Sequence, residues 1–515
     1  MARRGVGTWV REGVWEIPLR RYLALLVTTA LLVGLVFAVR TLAHDDRSCA
    51  PGVVRPEGSD ECVGVASNAY DFGRPQLKDA VKAIDRENRR LRSGSYVTVA
   101  VMLPYTSTAP SSLADIQHQL QGAYLAQYQA NHAANAMVPA IRLVLANPGA
   151  TGAHWQRTVD QLTRMTTSAD RLRAVAGIGQ STDSNKKAVK ELTRRGIPVV
   201  GSSITADDLA NGQHGKDPFP GLARVSPTNT DEARALASFA KVSAGRAMLV
   251  YDKPGDPYTQ TLKNAFTVLL KGSHLEPRPF YPPADRSKEG STAGTFWEIT
   301  QILCSTPRTT DTILFAGRHT QLRQFINALG ARGCDDRKFT LLTGDEGSYL
   351  TGDGKLDRKA LGHNLSVRYT SLAHPEAWTA TPATTGGSAK DARDLLGLVA
   401  EAKGEPVGPI GSAGLDDGQL IIGYDAVRLA ARGILMASRG GKVPPALTRV
   451  GHEWGQVQGG LRLGGASGWI CLDAHGNPYD KAVPIVELVP EGGSRFVKIA
   501  WPEGKPPGKE CLPPS

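Results

Sequence analysis

The sequence is poor in aromatic residues, with 8 Trp, 13 Tyr and 11 Phe in 515 residues, and poor in cysteine, with 6. The formal charge of +11 comes from basic residues spread along the chain without interleaved rings. A nucleic-acid platform needs basic and aromatic side chains together, so no nucleic-acid partner is expected. No two cysteines form a C-x-x-C pair, which argues against cysteine-ligated metal. Walker A, dinucleotide-fingerprint and G-x-S-x-G sequences are all missing. His452-Glu453 opens like a zinc helix, but Gln456 stands where the second histidine belongs, and Gly451 and Gly455 flank the pair. Asp353-Gly354-Lys355-Leu356-Asp357 has too few acidic positions for a calcium loop. No catalytic residue, metal or cofactor is expected, and the chain does not read as an enzyme.

One long charge-free stretch is present. Tyr22 to Val39 is almost wholly apolar, and after Arg40 a short extension reaches Ala43. This is at the lower end of what a membrane helix requires, about 20 residues. Arg3, Arg4, Arg11, Arg20 and Arg21 precede it and Asp45 and Asp46 follow, an asymmetry that places the N-terminus in the cytoplasm and the main body outside. The competing reading is a cleaved signal peptide ending near Thr41-Leu42-Ala43, but the run exceeds a typical apolar signal core of roughly 7–15 residues. The expected location is the cell membrane, single-pass. No small-residue box precedes Cys49, against a lipoprotein anchor.

All six cysteines follow that stretch, as an oxidising compartment allows. Pairing sequence neighbours gives Cys49 with Cys62, Cys304 with Cys334, and Cys471 with Cys511, one of several connectivities open to six cysteines. Free buried thiols are the alternative.

From Tyr96 onward, strand-length apolar runs alternate with helical periodicity, the mark of parallel sheets flanked by helices. Strands are expected at 97–103, 141–145, 173–178, 197–200, 247–251, 312–317 and 338–342. A break near 228 divides two such series, which predicts an α/β protein of two doubly wound, Rossmann-like lobes. The expected organisation is a cytoplasmic 1–21, an anchor 22–43, a stalk 44–95, a first lobe of 96–228 with about 371–450, a second of 229–370 with about 451–500, and a Pro-rich tail 501–515. Ligands bind such sheets at the carboxyl ends of the strands, so site residues are sought in those loops.

Several phrases in those loops resemble the branched-chain amino-acid binding proteins of ABC importers, members of the type I periplasmic-binding-protein family whose fold also serves receptor ectodomains. They are Ala174-Val175-Ala176-Gly177-Ile178-Gly179-Gln180-Ser181, Gly196 to Thr205, Ala247 to Tyr258, Tyr424-Asp425-Ala426-Val427 and, more weakly, Leu472 to Pro478. The likeness spans roughly 96–490.

The resemblance implies a cleft in which Ser181 and Thr205 hold a ligand carboxylate, with Thr182 beside them. Both Ser181 and Thr205 sit where a strand passes into a helix, where hydroxyls and free N–H groups converge near a positive dipole end. Simple helix capping is the alternative role. Ser203 would offer its carbonyl to an ammonium group, Tyr258 would face the cleft from the second lobe, and Glu346 would pair with the ligand amine, unless Asp345-Glu346 is merely a solvated turn. Arg318-His319 stands where an aromatic is expected, and Arg318 would bring in a second anionic group or form a surface salt bridge. The implied function is a solute-binding protein that closes on a small, amino-acid-like ligand for ABC-type import, working with a permease. The alternatives are a sensory ectodomain working with a signalling protein, or a scaffold that has lost its ligand.

Overall fold

A computed structural model describes residues 22–23, 25–34, 47–133, 139–213, 215–285, 288–380, 385–439 and 443–513. The β-branched and apolar runs form strands buried on both faces, because helices cover both sides of each sheet. The first lobe opens with β1 (Ser48–Ala50), β2 (Val53–Val54), β3 (Val63–Ala66) and helix α1 (Lys78–Arg90). The alternating series follows: β4 (Tyr96–Met102), α2 (Pro110–His132), β5 (Ala140–Asn147), α3 (Trp155–Met165), β6 (Leu172–Gly177), α4 (Asp183–Arg194), β7 (Val199–Gly201) and β8 (Leu222–Arg224). The sheet order is β1-β2-β3-β5-β4-β6-β7-β8, with the last five strands of that order mutually parallel.

The second lobe runs α5 (Asn229–Ala240), β9 (Ala247–Asp252), α6 (Pro257–Leu269), β10 (Arg278–Phe280), α7 (Thr292–Ser305), β11 (Thr312–Ala316), α8 (His319–Gly330), β12 (Phe339–Thr343) and β13 (Leu365–Thr370). The chain then returns to the first lobe as α9 (Ala389–Glu401), α10 (Gln419–Ser438), α11 (Leu447–His452) and the hairpin β14 (Leu463–Gly465) with β15 (Gly468–Ile470). It crosses back to finish as β16 (Val483–Leu488) and β17 (Ser494–Ala500), antiparallel at the edge of β10-β9-β11-β12-β13-β16-β17. Helices α2 and α10 pack backbone to backbone at Gly122 and Gly423. A Cβ on Gly122 would lie 2.0 Å from the Leu420 carbonyl oxygen, and one on Gly423 would lie 2.3 Å from that of Gln119.

Several expectations change. Residues 48–90 are not a stalk: β3 pairs with β5, and Leu77, Val81 and Ile84 lie in the first core, so burial holds this segment in the lobe. The segment 447–472 belongs with the first lobe, because Val450, Trp454, Leu463 and Ile470 are buried in that same core. The single-pass membrane location is not supported. Among the described residues no helix is long and apolar enough to cross a membrane, and of the expected anchor only 22–23 and 25–34 are described as helix. Residues 35–43 of that expected anchor and the N-terminal 1–21, expected to be cytoplasmic, lie outside the described residues. The three neighbour disulfides are formed, Cys49–Cys62, Cys304–Cys334 and Cys471–Cys511, and the last ties the C-terminal tail to the first lobe.

Candidate functional site

The carboxyl ends of both parallel sheets face each other across a cleft. On the first lobe, β6 ends in three consecutive residues with positive φ, Gly177 at 96°, Ile178 at 75° and Gly179 at 74°. A β-branched residue rarely adopts this conformation, and the turn delivers Gln180 and Ser181 to the mouth of the strand. On the second lobe, Asp256 caps α6 by accepting from the Thr259 N–H at 2.9 Å, which fixes Tyr258 in the first helical turn. The turn after β12, Asp345–Leu350, carries Asp345, Glu346 and Tyr349, all buried.

Arg318 occupies the centre of this arrangement. Its guanidinium donates to Asp256 Oδ2 at 2.8 Å, to Glu346 Oε1 at 2.6 Å and, across the cleft, to the Ser181 carbonyl oxygen at 2.6 Å. It also lies 4.7 Å from the Tyr258 ring centroid, a cation–π distance. Glu346 is completed by the His319 backbone N–H at 2.9 Å and the His319 ring at 2.7 Å, and that ring stacks on Tyr349. Burial would raise the Glu346 carboxyl, but the Arg318 charge and His319 outweigh it and bring it down to about 2. Its neighbour Asp345 has no such pairing: burial, with repulsion from Glu346, pushes its carboxyl up to about 7. Arg318 therefore forms a buried interlobe tie, not a surface salt bridge.

The expected site residues divide accordingly. The Ser181 hydroxyl accepts the Thr205 and Ala206 N–H groups at 3.0 and 3.1 Å. Thr182 caps α4 by accepting from the Asn185 N–H at 3.2 Å, and the Ser203 hydroxyl donates to the Gly179 carbonyl at 3.2 Å. The Thr205 hydroxyl is buried and has no hydrogen-bond partner among the described residues. Tyr258 lies beneath Arg318, and its hydroxyl accepts from the Glu346 N–H at 3.4 Å.

Beside this tie lies a cavity of about 100 Å³, enclosed by the loops that end β4, β5 and β6, by α2, and by Tyr349 from the opposite lobe. Thr182 is the one expected site residue in its wall; Asp115, Gln119, Gln180 and Asn185 are the others that matter chemically. The Gln180 amide donates to the Tyr349 hydroxyl at 2.7 Å, a second polar contact between the lobes. Gln119 is fixed by donating to the Gln419 amide oxygen at 2.9 Å and accepting from Ser202 at 2.7 Å. The sequence reading missed Asp115 and Gln119. Their signal was an i, i+4 polar pair beside the Leu113, Ile116, Leu120 stripe, and Tyr349 stands three residues past Glu346. A larger depression of about 580 Å³ lies away from these strand ends, between Asp207, Asp231, Asp480 and Glu503. No group of His, Cys, Asp or Glu suited to a metal ion occurs among the described residues.

No protein-family model and no curated protein matches the sequence. Solved structures do. An isoleucine complex of a branched-chain amino-acid transporter substrate-binding protein from Streptococcus pneumoniae is 16% identical, covers 78% of this chain and 99% of its own, and has a TM-score of 0.55. A leucine complex of an ABC transporter substrate-binding protein from Desulfitobacterium hafniense is 19% identical, covers 78% and 100%, and has a TM-score of 0.55. A solute-binding protein from Rhodopseudomonas palustris, with 3,4-dihydroxybenzoic acid, is 15% identical, covers 81% and 99%, and has a TM-score of 0.54. This is the type I periplasmic-binding-protein fold. Three segments cross between the two β/α lobes, near 226–228, 371–372 and 472–483, and the strand-end cleft lies between the lobes.

Proposed function

We propose that the protein is a non-catalytic solute-binding protein whose two lobes close around a small polar ligand in the cavity beside Arg318. The observation that carries this reading is a largely apolar cavity with a few convergent polar side chains, walled by strand-end loops of one lobe and bordered by Tyr349 of the other. A ligand there touches both lobes and so favours the closed state by its differential contacts. The similar proteins named as transporter components support a role in delivering the ligand to a permease.

An amino-acid zwitterion, the ligand implied by the resemblance, does not suit the pairing. Arg318 holds Glu346, the carboxylate an ammonium group would use, and the two Ser181-directed N–H groups are spent on the Ser181 hydroxyl. The proposed ligand sits to one side of that arrangement, and its size is limited by a cavity well below the roughly 300–1,000 Å³ of pockets for larger molecules.

A thermal-shift screen of the full chain against small amines, amides, carboxylates, amino acids and sugars tests the proposal. A ligand that binds only the folded state stabilises it by about 2.7 kcal/mol at one hundred times its Kd. A saturable rise in melting temperature is expected from one chemical class. No rise from any class, with wild type and with Arg318→Ala, overturns the reading.

A further inference from the structure

We infer that the cavity takes a small organic cation, an ammonium or amidinium compound of a few non-hydrogen atoms, with the Asp115 carboxylate as its counter-ion. This rests on the reading of the cleft as a ligand site and names the class of ligand.

Asp115 is 5% exposed and lies in the cavity wall, and its Oδ2 has no hydrogen-bond partner among the described residues. A buried carboxylate oxygen is normally matched by donors, and leaving one unmatched is costly. The basic side chains near it are already engaged. Arg318 is held between Asp256 and Glu346, and His118 is hydrogen-bonded to Asp417. Burial, reinforced by the surrounding Asp417, Glu346 and Asp345, pushes the Asp115 carboxyl well above its ordinary range, while the adjacent Tyr349 hydroxyl opposes this. A positive ligand relieves both conditions, because it supplies the missing N–H donor and favours the ionised carboxylate that low-dielectric surroundings otherwise disfavour.

The remaining wall chemistry agrees. One N–H of the Gln180 amide is used on Tyr349, and the Gln180 side chain adds a second polar group to the wall beside Asp115. Anions are disfavoured, since the wall presents no Lys or Arg side chain. The protein supplies its own precedent alongside, where the Arg318 guanidinium fills the space between Asp256, Glu346 and the Ser181 carbonyl.

The test is calorimetric titration and thermal shift of the full chain with methylammonium, ethylammonium and ethanolammonium chlorides, compared with sodium acetate, acetamide and glycine at matched ionic strength. The ammonium salts are expected to bind and to raise the melting temperature. Asp115→Asn, which keeps the shape and removes the charge, is expected to weaken ethylammonium at least about tenfold, a loss of about 1.4 kcal/mol. Gln180→Leu is a second variant, expected to weaken ethylammonium with Asp115 intact. Tighter binding of acetate or acetamide than of ethylammonium, or ethylammonium binding unchanged in Asp115→Asn, overturns the cation class and leaves the cleft reading standing. Silence from the ammonium salts while another compound of the wider screen binds does the same. Silence from every compound overturns both.

Discussion

The Arg318 guanidinium reaches across the cleft to the Ser181 carbonyl oxygen at 2.6 Å while holding Glu346 of its own lobe at 2.6 Å. One buried side chain thus joins the loop after β6 to the turn after β12. In an open clamp the Ser181 contact must break, and Glu346 would keep its partner. The interlobe part of the tie is therefore a hydrogen bond to a neutral carbonyl, modest enough to be exchanged for ligand contacts.

Arg318→Ala should cost about 3–5 kcal/mol of stability, because it leaves Glu346 and Asp256 without their shared cation. The double variant Arg318→Ala with Glu346→Ala should lose less than the sum of the single losses, since it strands only Asp256 where Arg318→Ala alone strands both carboxylates. Urea unfolding of the four proteins measures this. A cost below about 1 kcal/mol for Arg318→Ala would place the guanidinium in solvent-like surroundings and contradict the buried tie.

Ser181 and Thr205, equivalent in the sequence reading, should separate on substitution. Ser181→Ala strands the Thr205 and Ala206 N–H groups and should cost about 1–3 kcal/mol. Thr205→Val removes a buried hydroxyl that has no partner among the described residues, and should be close to neutral or stabilising. Equal losses in denaturant melts would show that the Thr205 hydroxyl has a structural partner.

Two adjacent carboxyls should give opposite pH dependences. Glu346 is lowered from 4.5 to about 2, so its contribution is complete above pH 4.5 and is lost as pH falls through about 2. Asp345 is raised from 3.8 to about 7, so the folded form retains a proton that the unfolded chain has released, and stability falls as pH rises from 3.8 through about 7. Asp345→Asn should flatten the decline in melting temperature over that upper window, and an unchanged slope would contradict its burial in acid form.

The alternation of strands and helices was legible because each unit carries its own period, and Val97–Leu103 and Ala247–Tyr251 fall on β4 and β9 almost residue for residue. The edge ribbon was not legible. β1 and β2 are 3 and 2 residues long, too short to show a period, and are held in a local ribbon with β3, which alone pairs with the distant β5. The site was half legible. Ser181, Thr205, Tyr258, Arg318 and Glu346 do converge, but that Arg318 satisfies Glu346 depends on a contact 28 residues apart. Asp115 escaped notice because a polar residue beside an apolar helical stripe reads as solvent-facing until another lobe covers it.

The Cys471–Cys511 bridge closes a 40-residue separation and anchors the tail, for which loop-closure entropy suggests about 4 kcal/mol as an upper figure. Cys471→Ser with Cys511→Ser should lower the melting temperature and open the tail from about Pro502 to limited proteolysis. Resistance of the tail in that variant would mean that packing alone holds it.

Amide hydrogen exchange of the full chain, with and without a compound that stabilises it, tests the central claim most directly. The predicted result is slowed exchange at 103–107, 179–185 and 345–350, the loops and turn that meet across the cleft. Protection confined to 207–234 and 473–480, around the larger depression, or no protection at the strand ends, would contradict it.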